Sequence, residues 1–447
     1  LNLSNAGCSS NAGSESASPG IRERSFSALT VNGIRHSMLT LTTTALGGGL
    51  LSVAYVMNLC GLGLGCLMLL TGAILAFIGT KALMQMSTQT GCSTYAALFS
   101  HCAGPRAGPI LDAMLFVYGN GSCVGYMVFI GDFIPAIIKL LDPSLTQEWI
   151  RPVCIISAAT MMVPLVLPRD ISALRHVSPV SIMALIYMTL VIACKCPGNY
   201  HENVGTPAAG HLEVANPTIH FFEAFSLCVF AFNCHLNVVP VAAQLIQPST
   251  ARIIKVSARV NILQLSFYCL IGITGYISFI GKTYSDILKN YSDTDGFVAF
   301  GRVMLTFTMM VAIPLNLNPT VKSALQIRDY LYPQEQLLET APDATGEQRP
   351  RSESQRIVLT MICLYCQAVV AVLVPNVGTI LSLLGATVAT AMMLVIPAYC
   401  MGVVQPPTWR RRAQQAVLYI FALVSVTAVP ITILELVGVV QSPPNSS

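Results

Sequence analysis

Apolar residues fall in long unbroken runs separated by short polar stretches. Eleven runs reach roughly twenty residues: 37–57, 62–86, 108–139, 152–168, 177–196, 219–246, 258–281, 297–325, 356–374, 377–403 and 414–440. Each is long enough to cross a hydrocarbon core of about 30 Å as a helix. None shows the alternating pattern of about ten residues that marks a barrel strand, and a helix satisfies its own backbone in lipid. The pattern predicts an all-α polytopic membrane protein.

Composition agrees with this. Of 447 residues, 54% are hydrophobic and only 10% charged, and the mean hydropathy is +0.66. An ordinary globular chain carries about 25% charged residues. A soluble enzyme and a nucleic-acid binder are excluded. The net charge is a modest +4, but its placement is asymmetric. With the N-terminus in the cytoplasm, eighteen of the 24 Lys and Arg fall on that side, among them Arg252, Lys255, Arg259 and Arg410 to Arg412. Five fall opposite (Lys139, Arg151, Lys195, Lys282 and Lys289), and Arg302 lies near a span end. Basic residues collect on the cytoplasmic side of membrane proteins, so this orientation is the expected one. The sequons Asn290-Tyr291-Ser292 and Asn445-Ser446-Ser447 then fall outside.

Residues 1–35 read as a disordered cytoplasmic tail rich in Ser, Asn, Ala and Gly, without the pattern of a signal peptide. The sequence opens on Leu1 rather than Met, which leaves an earlier start open. Residues 36–440 form a single transmembrane domain, 333–355 a polar cytoplasmic linker within it, and 441–447 a short exterior tail. Fifteen cysteines lie mostly in apolar runs, where free Cys packs as a small hydrophobe. Cys363-Leu-Tyr-Cys366 has no partner pair for zinc, so no metal is expected; Cys194 and Cys196 remain disulfide candidates.

Two spans are interrupted by residues that suit a helix poorly. The first carries Thr43, Thr44 and then Gly47-Gly48-Gly49-Leu50; the sixth carries Phe230-Ala231-Phe232-Asn233-Cys234-His235-Leu236-Asn237 and ends at Pro240. Polar side chains and unwound backbone at membrane depth face a cavity or the bundle interior. Close helix packing around the glycines and a satisfied core histidine are the alternative. If repeat one is 37–196 and repeat two 219–403, with helix eleven at 414–440, the two breaks correspond, which is the sequence pattern of an inverted-repeat transporter. A broken helix exposes N–H groups at a positive dipole end and carbonyls opposite. That suits a zwitterion: a carboxylate on the amides of Gly48, Gly49 and Leu50, and an ammonium on carbonyls near Thr43, Thr44, Phe230 and Ala231, with Gly47 and Asn233 adjacent.

Three stretches carry a family resemblance: Gly47-Gly-Gly-Leu-Leu-Ser-Val-Ala-Tyr55, Phe230-Ala-Phe-Asn-Cys-His-Leu-Asn-Val-Val-Pro240 and Pro314-Leu-Asn-Leu-Asn-Pro319. Over about residues 30–440 the chain resembles the amino acid/auxin permease family, nearest its sodium-coupled neutral amino acid transporter branch, and protozoan amino acid permeases. The resemblance implies the five-plus-five inverted-repeat fold first known from a bacterial leucine transporter, with helices 1 and 6 broken. It also implies an amino acid substrate and no enzymatic activity. Two positions depart from the sodium-coupled branch: Thr43 stands where that branch has Asn, and Ala312 where it has Thr. Both changes remove oxygen ligands from a sodium site. Proton-coupled symport into the cytoplasm is therefore expected, with Glu223 and His235 as proton carriers, and no cofactor. Sodium-coupled neutral amino acid symport and an amino acid sensor with little flux stay open. Asp132 and Glu223 could contact a cationic substrate, or serve as caps, internal hydrogen bonds or partners of Arg302. A monomer in the plasma membrane, rather than a vacuolar or lysosomal one, is expected, with lipid as its surroundings.

Overall fold

The computed structural model describes residues 33–142, 144, 147–168, 178–204, 206, 210–332 and 351–437. The expected tail up to residue 32, the linker over 333–350, and the exterior tail with its Asn445 sequon lie outside the described residues. Among the described residues there is no strand. In chain order the helices are α1 (Ile34–Ala45), α2 (Val53–Cys60), α3 (Leu62–Thr90), α4 (Tyr95–Ala103), α5 (Ala107–Leu141), α6 (Ile150–Val166), α7 (Ser178–Asn203) and α8 (Phe221–Ala231). They continue as α9 (His235–Gln244), α10 (Thr250–Phe279), α11 (Gly296–Leu331), α12 (Arg351–Leu373), α13 (Val377–Leu384), α14 (Ile396–Val404), α15 (Trp409–Val426) and α16 (Ala428–Leu436).

Among the described residues, nine helical spans are long and apolar enough to cross a membrane. They are α3, α5, α7, α10, α11 and α12, together with three composite spans: α8 with α9, α13 with α14, and α15 with α16. A tenth arises when α1 and α2, bent by 60°, count as one, and α6 is a shorter apolar helix. The ends depart from the expected apolar runs by up to eight residues, as where α10 begins at Thr250 rather than at 258.

The layering shows which spans are central. The most apolar window of α8–α9 is 78% buried and that of the 377–404 span 72%, against 33% for α12 and for α15–α16. Outer faces carry apolar side chains: Leu67, Leu70 and Ile74 on α3, and Phe297, Phe300 and Phe307 on α11, are all exposed, as lipid contact requires. Lipid removes the hydrophobic drive between helices, so close approach and polar contacts hold the bundle instead. At Gly119 of α5 a methyl group would fall 1.8 Å from the Thr320 Oγ1 of α11. Asn120 on α5 accepts a 2.7 Å hydrogen bond from the Gln367 amide on α12. At the α2–α3 corner Gly61 has φ +88°, and residues 213–216 lie against it. The Glu213 and Val214 carbonyls accept from the Leu62 and Gly63 amides.

Scarce charges gather at one end of the bundle. Asp132 binds Arg151 at 3.2 Å and Lys289 at 3.4 Å. Arg302 pairs with Asp293 at 3.0 Å and donates to the Leu288 and Tyr291 carbonyls. Of the roles left open for Asp132 and Glu223, pairing with Arg302 is the one not seen: the loop after α10 brings Asp293 and two carbonyls to the guanidinium first. The Asn290 amide nitrogen donates to the Lys282 carbonyl at 2.7 Å, so a glycan on that atom displaces a hydrogen bond. Cys194 and Cys196 are free thiols on α7. Two residues apart on a helix they point to opposite sides, which prevents a bond between them.

Candidate functional site

Both interruptions read from the sequence are present. After α1 the chain leaves the helix at Leu46 and Gly47, where Gly47 is extended (φ −130°, ψ −154°), and re-enters through a 3-10 turn over Gly48–Ser52. Between α8 and α9 the helix stops for Phe232, Asn233 and Cys234. The Asn233 side chain accepts from the His235 amide, the first N–H of α9, at 3.3 Å.

The two broken spans meet at these points. A methyl on Gly49 would stand 3.2 Å from the Ala231 Cα and 3.4 Å from the Phe230 ring, so a side chain there would press on the neighbouring broken span. Helix α5 closes the other side, with Phe129 about 3.0 Å from the same probe position on Gly48 and the Tyr126 hydroxyl 3.4 Å from that on Gly47. Tyr118 stacks at 5.9 Å from Phe230. On the far side Gly385 lies so close to the Ser226 carbonyl that a methyl would overlap it. This contact falls in a π-helical stretch, Gly385–Ala389, inside the 377–404 span. Such bulges concentrate at functional sites.

Between these elements lies a narrow space lined by Gly49, Ser52, Val53, Val56, Leu227, Phe230 and Leu381. About 170 Å³ lies between the atoms, none of it wide enough for a water molecule, so the space is closed down in this conformation. No lining side chain is charged. Of the lining side chains, the Ser52 hydroxyl is buried without a partner.

The expected contact atoms divide into free and engaged. The amides of Gly48 and Gly49 open the 3-10 turn and are the unpaired donors that every helix start leaves. The Leu50 amide is already bonded to the Gly47 carbonyl at 3.1 Å. The Phe230 carbonyl accepts from the Asn233 amide at 3.1 Å, and the Ala231 carbonyl from the Tyr268 hydroxyl at 2.5 Å. Thr43 and Thr44 donate back to the Thr40 and Leu41 carbonyls, and Thr44 is exposed. The Ala312 carbonyl accepts from the Asn316 amide at 2.8 Å.

Glu223 and His235 occupy opposite halves of the sixth span, twelve residues and so about 18 Å apart, and cannot exchange a proton directly. His235 is fully buried, with the space of its ring provided by Gly79 of α3. Glu223, 2% exposed, lies 3.8 Å from the His220 Nδ1, which is itself 3.0 Å from Glu435 on α16.

Sequence reasoning did not single out Ser52, Tyr118, Tyr126, Phe129, Tyr268, Leu381 or Glu435. Tyrosines and a leucine inside apolar helices look like ordinary packing until the breaks give them something to face. Glu435 alone carried a signal: it is an acid inside an apolar run.

Comparison with known proteins identifies the family. A family model described as transmembrane amino acid transporter protein matches residues 30–437. A Toxoplasma gondii protein named as a candidate amino acid transporter, AAT1, is 33% identical over 328 residues, 72% of this chain. The match spans only 45% of that protein's own length. Vacuolar amino acid transporter 5 of Schizosaccharomyces pombe is 26% identical over 82% of this chain and 83% of its own. Sodium-coupled neutral amino acid transporter 7 of Xenopus laevis is 22% identical over 82% of this chain and 79% of its own. With nearly the whole helical domain inside the match, the chain belongs to the transmembrane amino acid transporter protein family, whose members are membrane transporters rather than enzymes.

Proposed function

We propose that this protein is a secondary active transporter that carries an amino acid into the cytoplasm by alternating access, coupled to protons. The observation that supports it most is the meeting of two broken helices at Gly49 and Ala231 around a closed, uncharged space. In this reading the domain has eleven spans arranged as two inverted repeats of five plus a last helix. The bent α1–α2 and the interrupted α8–α9 are then corresponding members. The N-terminus is cytoplasmic, and the loop bearing Asp286 to Asp293 faces outward. The protein acts as a monomer.

The carboxylate of the substrate binds the Gly48 and Gly49 amides, where two unpaired N–H groups and the helix dipole favour an anion. The ammonium is received by carbonyls beside Thr43 and Phe230. The apolar lining from Val53, Val56, Leu227 and Leu381 suits a neutral side chain. A guanidinium there would be buried without a partner, at a cost of several kcal/mol. Thr43 and Ala312 supply fewer oxygen ligands than a sodium site requires, which favours the proton. The Xenopus relative is named as sodium-coupled, so the ion is the point to test.

Uptake of labelled amino acids into vesicles holding the purified chain tests the reading. We expect concentrative uptake of neutral amino acids in sodium-free buffer under an inward pH gradient. Uptake that depends strictly on external sodium would replace the coupling ion, and tight binding with no flux would make the protein a sensor. Fluorescent tagging then separates a plasma-membrane location from the vacuolar one in the name of the fission yeast relative.

A further inference from the structure

His220, Glu223 and Glu435 come together where α8 begins and α16 ends. One imidazole nitrogen and one oxygen from each carboxyl all lie within 4.8 Å of one another. Their side chains are 15%, 2% and 9% exposed, so water screens them little. The Glu223 Oε2, the Glu435 Oε1 and the His220 Nδ1 have no well-aligned hydrogen bond. On the neighbouring α2 the Tyr55 hydroxyl is also fully buried and without a hydrogen-bond partner.

The charges cannot balance without a proton. Even a charged His220 would offset only one of the two carboxylates. Among the described residues, neither glutamate has a Lys or Arg partner. The packed helix α13, Val377–Leu384, contributes no titratable side chain, and Arg410 to Arg412 open the α15–α16 span at its other end. Two carboxylates crowded into a dry site cannot both ionise against a single cation.

We propose that Glu223 and Glu435 share one exchangeable proton, held against His220, and that Glu435 is thereby a coupling residue for the transport proposed above. The proton joins a carboxylate oxygen from water on the side facing His220 and leaves to water when the pocket reopens; no other bond changes. The position fits this role. Ser226, one turn below Glu223, donates to its carbonyl and contacts the Ser382 hydroxyl at 2.8 Å. Protonation at the top of α8 therefore bears on the contact between α8 and the π-helical span that closes the substrate space. The coupling part rests on the proton-driven reading; the proton-holding part does not.

Infrared spectroscopy of the purified full chain at neutral pH, with Asp286→Asn as the common background to remove the other buried acid, tests the proton directly. We expect a protonated-carboxyl band that is lost in Glu223→Gln and equally in Glu435→Gln, since either removes the second acid that crowds the first. In His220→Gln the band is expected to persist or strengthen, because the one side chain of the cluster that could carry a positive charge is gone. A background protein without the band, a band that survives both glutamine variants, or a band weakened in His220→Gln overturns the proposal. In sodium-free vesicles Glu435→Gln is expected to lose the rise of uptake with outside acidity, whereas a merely structural defect lowers uptake at every pH and keeps the slope. A wild-type slope in the variant overturns the coupling role. A wild type that ignores the pH gradient, with the band present in the Asp286→Asn background, ends the proton-driven reading, and with it the coupling role, and leaves the shared proton standing.

Discussion

Gly79 of α3 is the floor on which the His235 ring rests. A methyl group there would lie 2.7 Å from the His235 Nε2 and 2.8 Å from the Met393 carbonyl oxygen, so the ring, the glycine and the 377–404 span occupy one tightly filled point. Overpacking a filled site costs about 1–3 kcal/mol. Gly79→Ala is therefore expected to lower the thermal midpoint of the purified protein. Adding His235→Ala is expected to recover part of the loss, because the second change removes the atoms in conflict. Additive losses would show that the two residues do not press on each other.

Gly49 offers a more local test of the site. Gly49→Ala places a carbon 3.2 Å from the Ala231 Cα, and the neighbouring backbone must give way by a few tenths of an ångström. Displacements of that order in a binding geometry cost roughly ten-fold or more in rate. We expect kcat/KM for uptake to fall by about that factor while the amount of protein in the membrane stays near wild type. Unchanged uptake would remove Gly49 from the substrate path.

Tyr268 holds the end of α8 by donating to the Ala231 carbonyl at 2.5 Å. Tyr268→Phe leaves this buried carbonyl unpaired, a loss of about 1–3 kcal/mol. The expected outcome is a lower thermal midpoint and a raised KM, since the carbonyl belongs to the wall of the site. A stability loss with KM unchanged would confine Tyr268 to a structural role.

Asp286 sets a pH dependence outside the spans. Burial, and then the negative charge of Asp132, push its carboxyl up to about 7, against which Lys289 and Arg302 pull only in part. The ordinary value of an aspartate is 3.8, so the folded state holds this proton more tightly than the unfolded chain does. Its contribution to stability is full below that ordinary value and is lost as pH rises through about 7. Thermal stability of the wild type is expected to decline between pH 5 and pH 8 by more than that of Asp286→Asn, which keeps an oxygen to accept from the Leu288 amide at 3.0 Å. Parallel pH curves for the two proteins would sink the assignment.

Much of the architecture was legible because lipid leaves few options: a helix must close its own backbone, and an apolar run of twenty residues announces it. The two breaks were legible for the converse reason, since Gly47 to Gly49 and Asn233 are costly at membrane depth. Which atoms remain free at the breaks was not. Leu50 looked like an open amide, yet the tight 3-10 turn spends it on Gly47, a detail of backbone angles that residue types do not encode. The partners of Arg302 were not legible because the pairing depends on where the 283–295 loop folds back, and loop geometry follows from contacts rather than periodicity. Glu435 joined Glu223 only once α16 was seen to end beside the start of α8, some two hundred residues away in sequence.

Where the two broken spans meet, main chain faces main chain, Gly49 against the Cα of Ala231. Main chain offers the same amides and carbonyls whatever the gene encodes, so mutation cannot readily retune that part of the wall. In the proposed site, any change in substrate choice must therefore come from the surrounding collar of Ser52, Val53, Val56, Leu227, Phe230 and Leu381. A site built this way would separate what every amino acid shares from what distinguishes one from another: the first met by backbone, the second by six replaceable side chains.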